Sequence, residues 1–164
     1  MSYEMEVVNI RLVKEPSWYS KEPLNSPDKI AEFMSQELKS YDREVFCILN
    51  LTTDSKVINM NIVSMGTINA SLVSAREVFK SSILSNAAFI IAVHNHPSGN
   101  LYPSQNDMLI TNKLMQAGEL LGIELLDHII VGGGKGEYYS FHTHNLLLDK
   151  ELQQKQKGQK TMER

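Results

Sequence analysis

Two histidines and an aspartate lie close together in the sequence, with the residue types and spacing of a metal site. His94 and His96 come directly after an apolar run over residues 88–93, and Asp107 follows a loop rich in proline, glycine and asparagine. In a β-strand, residues two apart face the same side, so both imidazoles can converge on one ion. Two histidines and one carboxylate can hold zinc while leaving a fourth position for water.

A hydrolase built on such an ion also needs a proton carrier and a hydrogen-bond donor for the developing oxyanion. Zinc lowers the pKa of its bound water to about 7, which makes hydroxide available at neutral pH. We expect Glu44 to carry the proton, because an acidic side chain that opens an apolar strand is costly unless it has a partner. Ser104, three residues before Asp107, is the expected donor to the oxyanion.

Each of these residues also has a purely structural interpretation. Ser104 and Asp107 have the spacing of a helix N-cap with an acidic third position, which the helix dipole favours. The two roles of Ser104 can coexist, because its backbone can start the helix while its hydroxyl faces the metal. Glu44 could be a surface acid on an edge strand, and His94 and His96 could be two hydrogen-bonded histidines at a strand end.

Other residues with reactive or metal-binding side chains have simpler explanations. His142 and His144 form a second His-x-His, but they border a charged tail and are expected on the surface. His128 lies inside an apolar strand and is expected to be a hydrogen-bonded core histidine. Glu77 completes a capping box with the serine three residues before it. Cys47 is expected to be a buried thiol.

The composition restricts the class of protein. The chain has 164 residues, enough for one domain with tails, and its net charge of −3 argues against a large phosphate-binding surface. Its single cysteine excludes an internal disulfide and fits a reducing compartment. The sequence shows neither a signal peptide nor an apolar run of the roughly 20 residues that cross a bilayer. We therefore expect a cytoplasmic protein without a membrane partner.

The elements that must position these residues alternate between strands and helices. We predict strands over 6–13, 43–51, 57–64, 87–93, 123–131 and 138–141, and helices over 26–40, 74–86 and 104–121. The predicted buried stripes are Val78, Phe79, Ile83 and Leu84 in the second helix and Leu109, Leu114, Ala117, Leu120 and Leu121 in the third. The pattern, with a hairpin at residues 43–64, predicts an α/β domain with a mixed sheet covered by helices.

The predicted organisation has three parts. Residues 1–25 form an N-terminal strand and loop, residues 26–145 form the metal-binding domain, and residues 146–164 form a charged tail. Within that tail, residues 150–164 are expected to be a solvated, fraying helix or disordered.

The spacing of the candidate ligands resembles a known motif. His94-x-His96, seven intervening residues and Ser104-x-x-Asp107 are similar to the JAMM metalloprotease motif of the JAB/MPN domain, which pairs with an upstream glutamate on a strand. The wider sequence resembles the RadC-like JAB-domain proteins over about residues 26–142. The matching stretches are Arg43-Glu44-Val45-Phe46, Gly66-Thr67-Ile68-Asn69, Ala75-Arg76-Glu77-Val78-Phe79, Asn86-Ala87-Ala88, His94-Asn95-His96-Pro97-Ser98-Gly99 and Leu126-Asp127-His128-Ile129-Ile130.

This resemblance implies a cytidine-deaminase-like three-layer α/β/α fold with a mixed central sheet. It implies one Zn²⁺ bound by His94, His96 and Asp107, with Glu44 as the acid and base. The activity it implies is cleavage of an amide or isopeptide bond by a zinc-activated water, in a peptide or an isopeptide-linked protein. Many members carry a helix-hairpin-helix DNA-binding domain, and we expect none before Ser26.

Two functions of other classes stay open. One is a non-enzymatic interaction module in DNA repair or mobile-element biology, with the zinc kept for structure. The other is a metal-dependent nuclease, which the acidic balance and the one-metal ligand set disfavour; nucleic acid as a partner has no support from the net charge. Deamination is excluded, because deaminases of this fold need His-x-Glu and Pro-Cys-x-x-Cys, and the sequence has neither.

Overall fold

A computed structural model describes residues 4–66, 73–133 and 136–147. In chain order the elements are α1 (Pro27–Leu38), β1 (Val45–Leu51), β2 (Val57–Met65), α2 (Ala75–Leu84), β3 (Phe89–His96), α3 (Gln105–Leu121), β4 (Glu124–Gly132) and β5 (Tyr138–Ser140). The predicted tail over 150–164 and the matching stretch at 67–69 lie outside the described residues. Among the helices described here, none is both long and apolar enough to cross a bilayer.

The five strands form one mixed sheet in the order β2-β1-β3-β4-β5. β1 is antiparallel to β2 and to β3, β3 and β4 are parallel, and β5 is antiparallel to β4. Parallel neighbours need a crossover, and α3 supplies it between β3 and β4. As a result, α3 begins beyond the carboxyl end of β3, the edge of an α/β sheet at which ligands commonly bind.

Helices cover both faces of the sheet. α1 packs with one set of buried strand residues, and α2 and α3 pack with the other. Because side chains alternate along a strand, β1 serves both layers: Phe46 and Ile48 face α2 and α3, and Cys47 and Leu49 face α1. This arrangement confirms the predicted three-layer α/β/α fold with a mixed central sheet.

The helices begin where the sequence predicts. Ser26, Ser74 and Ser104 are the N-caps of α1, α2 and α3, and each side chain accepts a hydrogen bond from the backbone N–H three residues later. Gly122 ends α3 in the left-handed region, with a φ of 70°. Side-chain acceptors and one glycine therefore set these boundaries.

The predicted first strand, over residues 6–13, is wrong. Within the described chain, residues 4–26 contain neither strand nor helix. Val7, Val8 and Ile10 are 91%, 74% and 72% exposed, respectively. A strand needs a partner for its backbone groups and a face to bury, and β propensity without both does not form one.

The predicted apolar stripes of α2 and α3 are also partly wrong. Five of the predicted stripe residues are exposed, namely Ile83, Leu84, Leu109, Leu120 and Leu121. Val78, Phe79 and Leu114 are buried as predicted, and the buried faces also contain residues that were not predicted, namely Ser81 and Ser82 in α2 and Asp107, Ile110, Thr111 and Gly118 in α3. Two of these polar side chains have partners: Asn50 donates to the hydroxyl of Ser81 over 3.1 Å, and Thr111 donates to the carbonyl of Asp107. The hydroxyl of Ser82 is buried without a hydrogen-bond partner among the described residues.

Gly118 is where the last turn of α3 meets the chain that follows it. A Cβ at Gly118 would overlap the carbonyl oxygen of Ile123 and would lie 3.4 Å from the ring of Phe79. The backbone of Ile123 cannot move away freely, because its N–H donates to the carbonyl of Gly118 over 2.9 Å.

We therefore expect Gly118→Ala to destabilise the protein. Alanine favours a helix over glycine by about 1 kcal/mol, but overpacking against backbone costs about 1–3 kcal/mol, so the clash should prevail. Urea unfolding gives the free energy of unfolding, and Gln116→Ala, on the exposed side of the same helix, is the control. A Gly118→Ala variant as stable as the native chain would contradict the close approach.

Candidate metal centre

His94 and His96 end β3 and project from the same face of the sheet, as alternation along a strand predicts. Their Nε2 atoms lie 3.0 Å apart. Phe46 is paired with His94 across β1 and β3, and its ring stacks on the imidazole with the centroids 5.8 Å apart. The Nε2 atoms of His94 and His96 therefore face each other at the carboxyl end of β3.

Asp107, in the first turn of α3, approaches both imidazoles. Its Oδ1 lies 3.2 Å from Nε2 of His94, and its Oδ2 lies 3.5 Å from Nε2 of His96. The same side chain takes part in the helix cap: the N–H of Ser104 donates to Oδ2 over 2.6 Å, and the N–H of Asp107 donates to the hydroxyl of Ser104 over 3.1 Å. The capping interpretation and the ligand interpretation thus coexist in Asp107.

Glu44 lies beside this cluster, next to His96. The register that pairs Phe46 with His94 places Glu44 opposite His96 when it is continued by two residues. Its Oε1 lies 4.0 Å from Nε2 of His96. The side chain of Glu44 is 29% exposed, whereas that of Asp107 is 1% exposed. Among these side chains, the carboxylate of Glu44 is thus the most accessible to solvent.

Asn95, between the two histidines, fixes the backbone on both sides of Glu44. Its Oδ1 accepts from the N–H of Val45 over 2.7 Å, and its Nδ2 donates to the carbonyl of Arg43 over 3.0 Å. Sequence reasoning missed this role. The only available signal was a polar residue inside a buried strand end, where an unpaired amide would be costly.

The loop from Pro97 to Pro103 closes over the end of β4. Nδ1 of His96 donates to the carbonyl of Asn100, which can only accept, so in the neutral ring it is Nε2 that carries the lone pair. The loop passes close to Gly132, where a Cβ would lie 3.2 Å from the Cα of Gly99. A residue without a side chain at Gly132 thus lets the loop reach the histidine.

Behind His94 lies a second buried histidine. Nδ1 of His94 lies 2.8 Å from Nε2 of His128, and Nδ1 of His128 lies 2.6 Å from the hydroxyl of Thr111. That hydroxyl also donates to the carbonyl of Asp107 over 2.6 Å. His128 has no exposed surface, and burial lowers its pKa well below the usual value, so the ring is neutral. The expected hydrogen-bonded core histidine is confirmed, and it touches a candidate ligand.

The charges in the cluster reinforce one another. Burial alone would raise the pKa of Asp107, but the imidazoles of His94 and His96 outweigh it and hold that pKa well below its usual range. The carboxylate in turn raises the pKa of His96. Asp107 is therefore an anion at every ordinary pH, as a metal ligand must be.

The donor set fits a metal ion. A tetrahedral zinc with bonds of about 2.0–2.1 Å holds its ligand atoms about 3.3 Å apart. The contacts joining the three side chains, one through each oxygen of Asp107 and one between the imidazoles, are 3.2, 3.5 and 3.0 Å, and one ligand atom from each residue lies within 4.8 Å of the others. Oδ1 of Asp107 is buried and accepts no hydrogen bond. His94, His96 and Asp107 could therefore hold a metal ion, which would satisfy that oxygen.

The other candidates stand apart from this cluster. His142 and His144 are exposed, as predicted, and the ring of His144 stacks on Tyr139 with the centroids 4.0 Å apart. Glu77 pairs with the ammonium group of the lysine three residues later. Cys47 is fully buried, and burial raises the pKa of its thiol to about 12, which confirms the predicted core thiol.

Metal affinity should depend on Asp107 and not on the second His-x-His. We expect the native chain to bind one zinc ion, measured by competition with a coloured chelator. Asp107→Asn should weaken binding by more than the roughly 10- to 100-fold that outer-shell residues contribute, because it removes the anionic ligand. A variant carrying both His142→Ala and His144→Ala is the control, and equal affinity of these two variants would contradict the assignment.

Comparison with known proteins points to one family. A model of the RadC-like JAB domain matches residues 24–146. A UPF0758 protein of Methanosarcina mazei is 42% identical over 123 residues, which cover 75% of this chain and 52% of that protein. A UPF0758 protein of Finegoldia magna is 48% identical over 122 residues, covering 71% and 55%, respectively. A third, from Moorella thermoacetica, is 43% identical over 128 residues, covering 78% and 55%.

The chain spans about half the length of the curated relatives it matches. The matched segment contains Glu44, Asn95 and His128. It also contains the three candidate metal ligands, His94, His96 and Asp107. On this evidence, the chain belongs to the RadC-like JAB-domain family.

Proposed function

We propose that this protein is a zinc-dependent hydrolase that cleaves an amide or isopeptide bond in a peptide or protein. The observation that carries the proposal is the partly exposed carboxylate of Glu44, whose Oε1 lies 4.0 Å from Nε2 of His96. Structural zinc sites are closed by four protein ligands, whereas catalytic sites have three and stay open to water. Three candidate ligands beside a partly exposed carboxylate support the catalytic class.

His94, His96 and Asp107 would hold the zinc. When bound, zinc polarises a carbonyl and lowers the pKa of a coordinated water to about 7. The nitrogen and oxygen donors suit zinc among the biological divalent cations, although the set would also accept neighbouring transition metals. The buried carboxylate of Asp107 supplies negative charge that two neutral imidazoles do not.

Glu44 would move the proton. Water adds to the carbonyl carbon, the C–N bond breaks, and the products are a carboxylate and an amine. The carboxylate of Glu44 accepts the proton of the attacking water and gives it to the leaving nitrogen. Asn95 accepts from the N–H of Val45 and donates to the carbonyl of Arg43, and these two bonds fix the backbone that carries Glu44.

Ser104 would stabilise the negative charge that develops on the substrate oxygen. Its oxygen accepts the hydrogen bond from the N–H of Asp107, which leaves the hydroxyl proton to donate outward. Ser104 is exposed, at the start of α3 and next to the cluster in sequence. A positioned donor of this kind contributes about 10²–10³ in kcat in other hydrolases.

The net charge of −3 supports a peptide substrate over a nucleic acid, because phosphate binding relies on an excess of cations. A single buried cysteine, Cys47, fits a reducing compartment, so we place this activity in the cytoplasm.

Glu44→Gln should abolish hydrolysis while the zinc is retained. Loss of a general acid and base costs about 10²–10⁴ in rate. Zinc-loaded native and variant protein are compared on a panel of peptide-amide and lysine-isopeptide substrates, and metal content is measured on the same samples. Glu77→Gln, which removes an exposed carboxylate from α2, is the control.

Equal rates for Glu44→Gln and the native chain would contradict the assigned proton carrier. A native chain that binds zinc and cleaves no member of the panel would contradict the hydrolase and favour an interaction module with a structural zinc.

A further inference from the structure

Three buried side chains, those of His94, His128 and Thr111, form a hydrogen-bonded row that begins at a candidate metal ligand. The row runs from Nδ1 of His94 to Nε2 of His128, over 2.8 Å, and from Nδ1 of His128 to the hydroxyl of Thr111, over 2.6 Å. It ends where that hydroxyl meets the carbonyl of Asp107, over 2.6 Å. The row thus begins at one candidate ligand and ends at the backbone of another.

The carbonyl of Asp107, at the end of the row, determines which group donates in each of these hydrogen bonds. A carbonyl oxygen only accepts, so the hydroxyl of Thr111 donates to Asp107. Its oxygen must then accept from Nδ1–H of His128. His128 is fully buried, and the partners of its two ring nitrogens are His94 and Thr111 and not a carboxylate, so a charged ring there would be a costly buried charge. The neutral ring, with its proton on Nδ1, accepts at Nε2 from Nδ1–H of His94. In the neutral ring of His94, Nε2 then carries the lone pair, and it faces the position that a metal would take.

If the hydrogen bonds in the row ran in the opposite direction, His94 could not coordinate a metal through Nε2. If Thr111 donated to His128, the hydroxyl oxygen and the carbonyl of Asp107 would face each other at 2.6 Å as two acceptors. His128 would then donate from Nε2, and the proton of His94 would lie on Nε2, where it blocks coordination. The backbone of α3 therefore selects the tautomer that binds metal.

The packing around His128 holds this arrangement in place. Its ring stacks on Phe141 with the centroids 4.7 Å apart and meets the edge of Phe46 at 5.5 Å. His128 has no exposed surface, so no bulk water competes for either nitrogen. Its backbone N–H donates to the carboxylate of Asp127 over 2.7 Å, which anchors this part of β4.

We propose that Thr111 and His128 are positioning residues that fix the proton of His94 on Nδ1 and so present Nε2 to the metal. This inference rests on the metal-binding part of the proposed function. Outer-shell partners of metal-bound histidines fix tautomer and ring orientation, and their loss typically weakens metal binding about 10- to 100-fold.

Zinc affinity measured by chelator competition gives the first test. His128→Phe keeps a ring between Phe46 and Phe141 but removes the acceptor, and should bind zinc about 10- to 100-fold more weakly. His128→Gln offers an amide oxygen as acceptor and should recover part of that loss. Leu114→Ala, in the same core cluster, controls for lost stability and should bind zinc as the native chain does.

Long-range ¹H–¹⁵N correlation spectra of the metal-free native protein give the second test, because they distinguish protonated from unprotonated ring nitrogens. We expect His128 as the Nδ1–H tautomer, and the Nε2–H tautomer would overturn the inference. Should His128→Phe fail to fold, Thr111→Val and Thr111→Ser replace it: the valine variant should lose zinc affinity and the serine variant should retain it.

The failures of the two proposals are distinguishable. A native chain that binds no zinc would overturn both the proposed function and this inference. A native chain that binds zinc, together with a His128→Phe variant of equal affinity, would overturn this inference alone.

Discussion

Burial of one carboxylate between two imidazoles is the interaction on which the rest of the structure depends. Asp107 is 1% exposed and its Oδ1 accepts no hydrogen bond, so its charge must be balanced by what lies in front of it. Burying an unpaired carboxylate costs several kcal/mol, and here the two imidazoles and the N–H of Ser104 offset that cost. His94 and His96 meet it from the end of β3, and all three converge on a position that suits a cation.

The fold supplies this convergence through two connections. The antiparallel pairing of β1 with β3 carries Glu44 to the side of His96, and Asn95 locks that junction. The crossover from β3 through α3 to β4 returns Asp107 to the same edge. Its position is fixed by the reciprocal cap with Ser104, so one set of hydrogen bonds both starts the helix and aims the ligand.

The sequence revealed the parts of the site that lie close together along the chain. His-x-His at a strand end and Ser-x-x-Asp at a helix start follow local rules, and both motifs are where those rules place them. Partners distant in sequence were not foreseeable: Asn95 reaches residues about fifty positions away, and Thr111 and His128 meet only in the folded chain. For the same reason the predicted buried face of α3 was partly wrong. Asp107, Thr111 and Gly118 are buried because of the groups they contact and not because they are apolar.

Residues 6–13 illustrate the opposite error, since their apolar content gave a strand pattern and the described fold offers no sheet partner for it.

The central claim is that three side chains bind one ion whose fourth coordination position is occupied by water. X-ray absorption at the zinc edge tests this claim most directly. The account predicts a first shell of nitrogen and oxygen at about 2.0–2.1 Å with two imidazole signatures and one water-exchangeable ligand. A shell without imidazole, or one closed by four protein ligands, would contradict it.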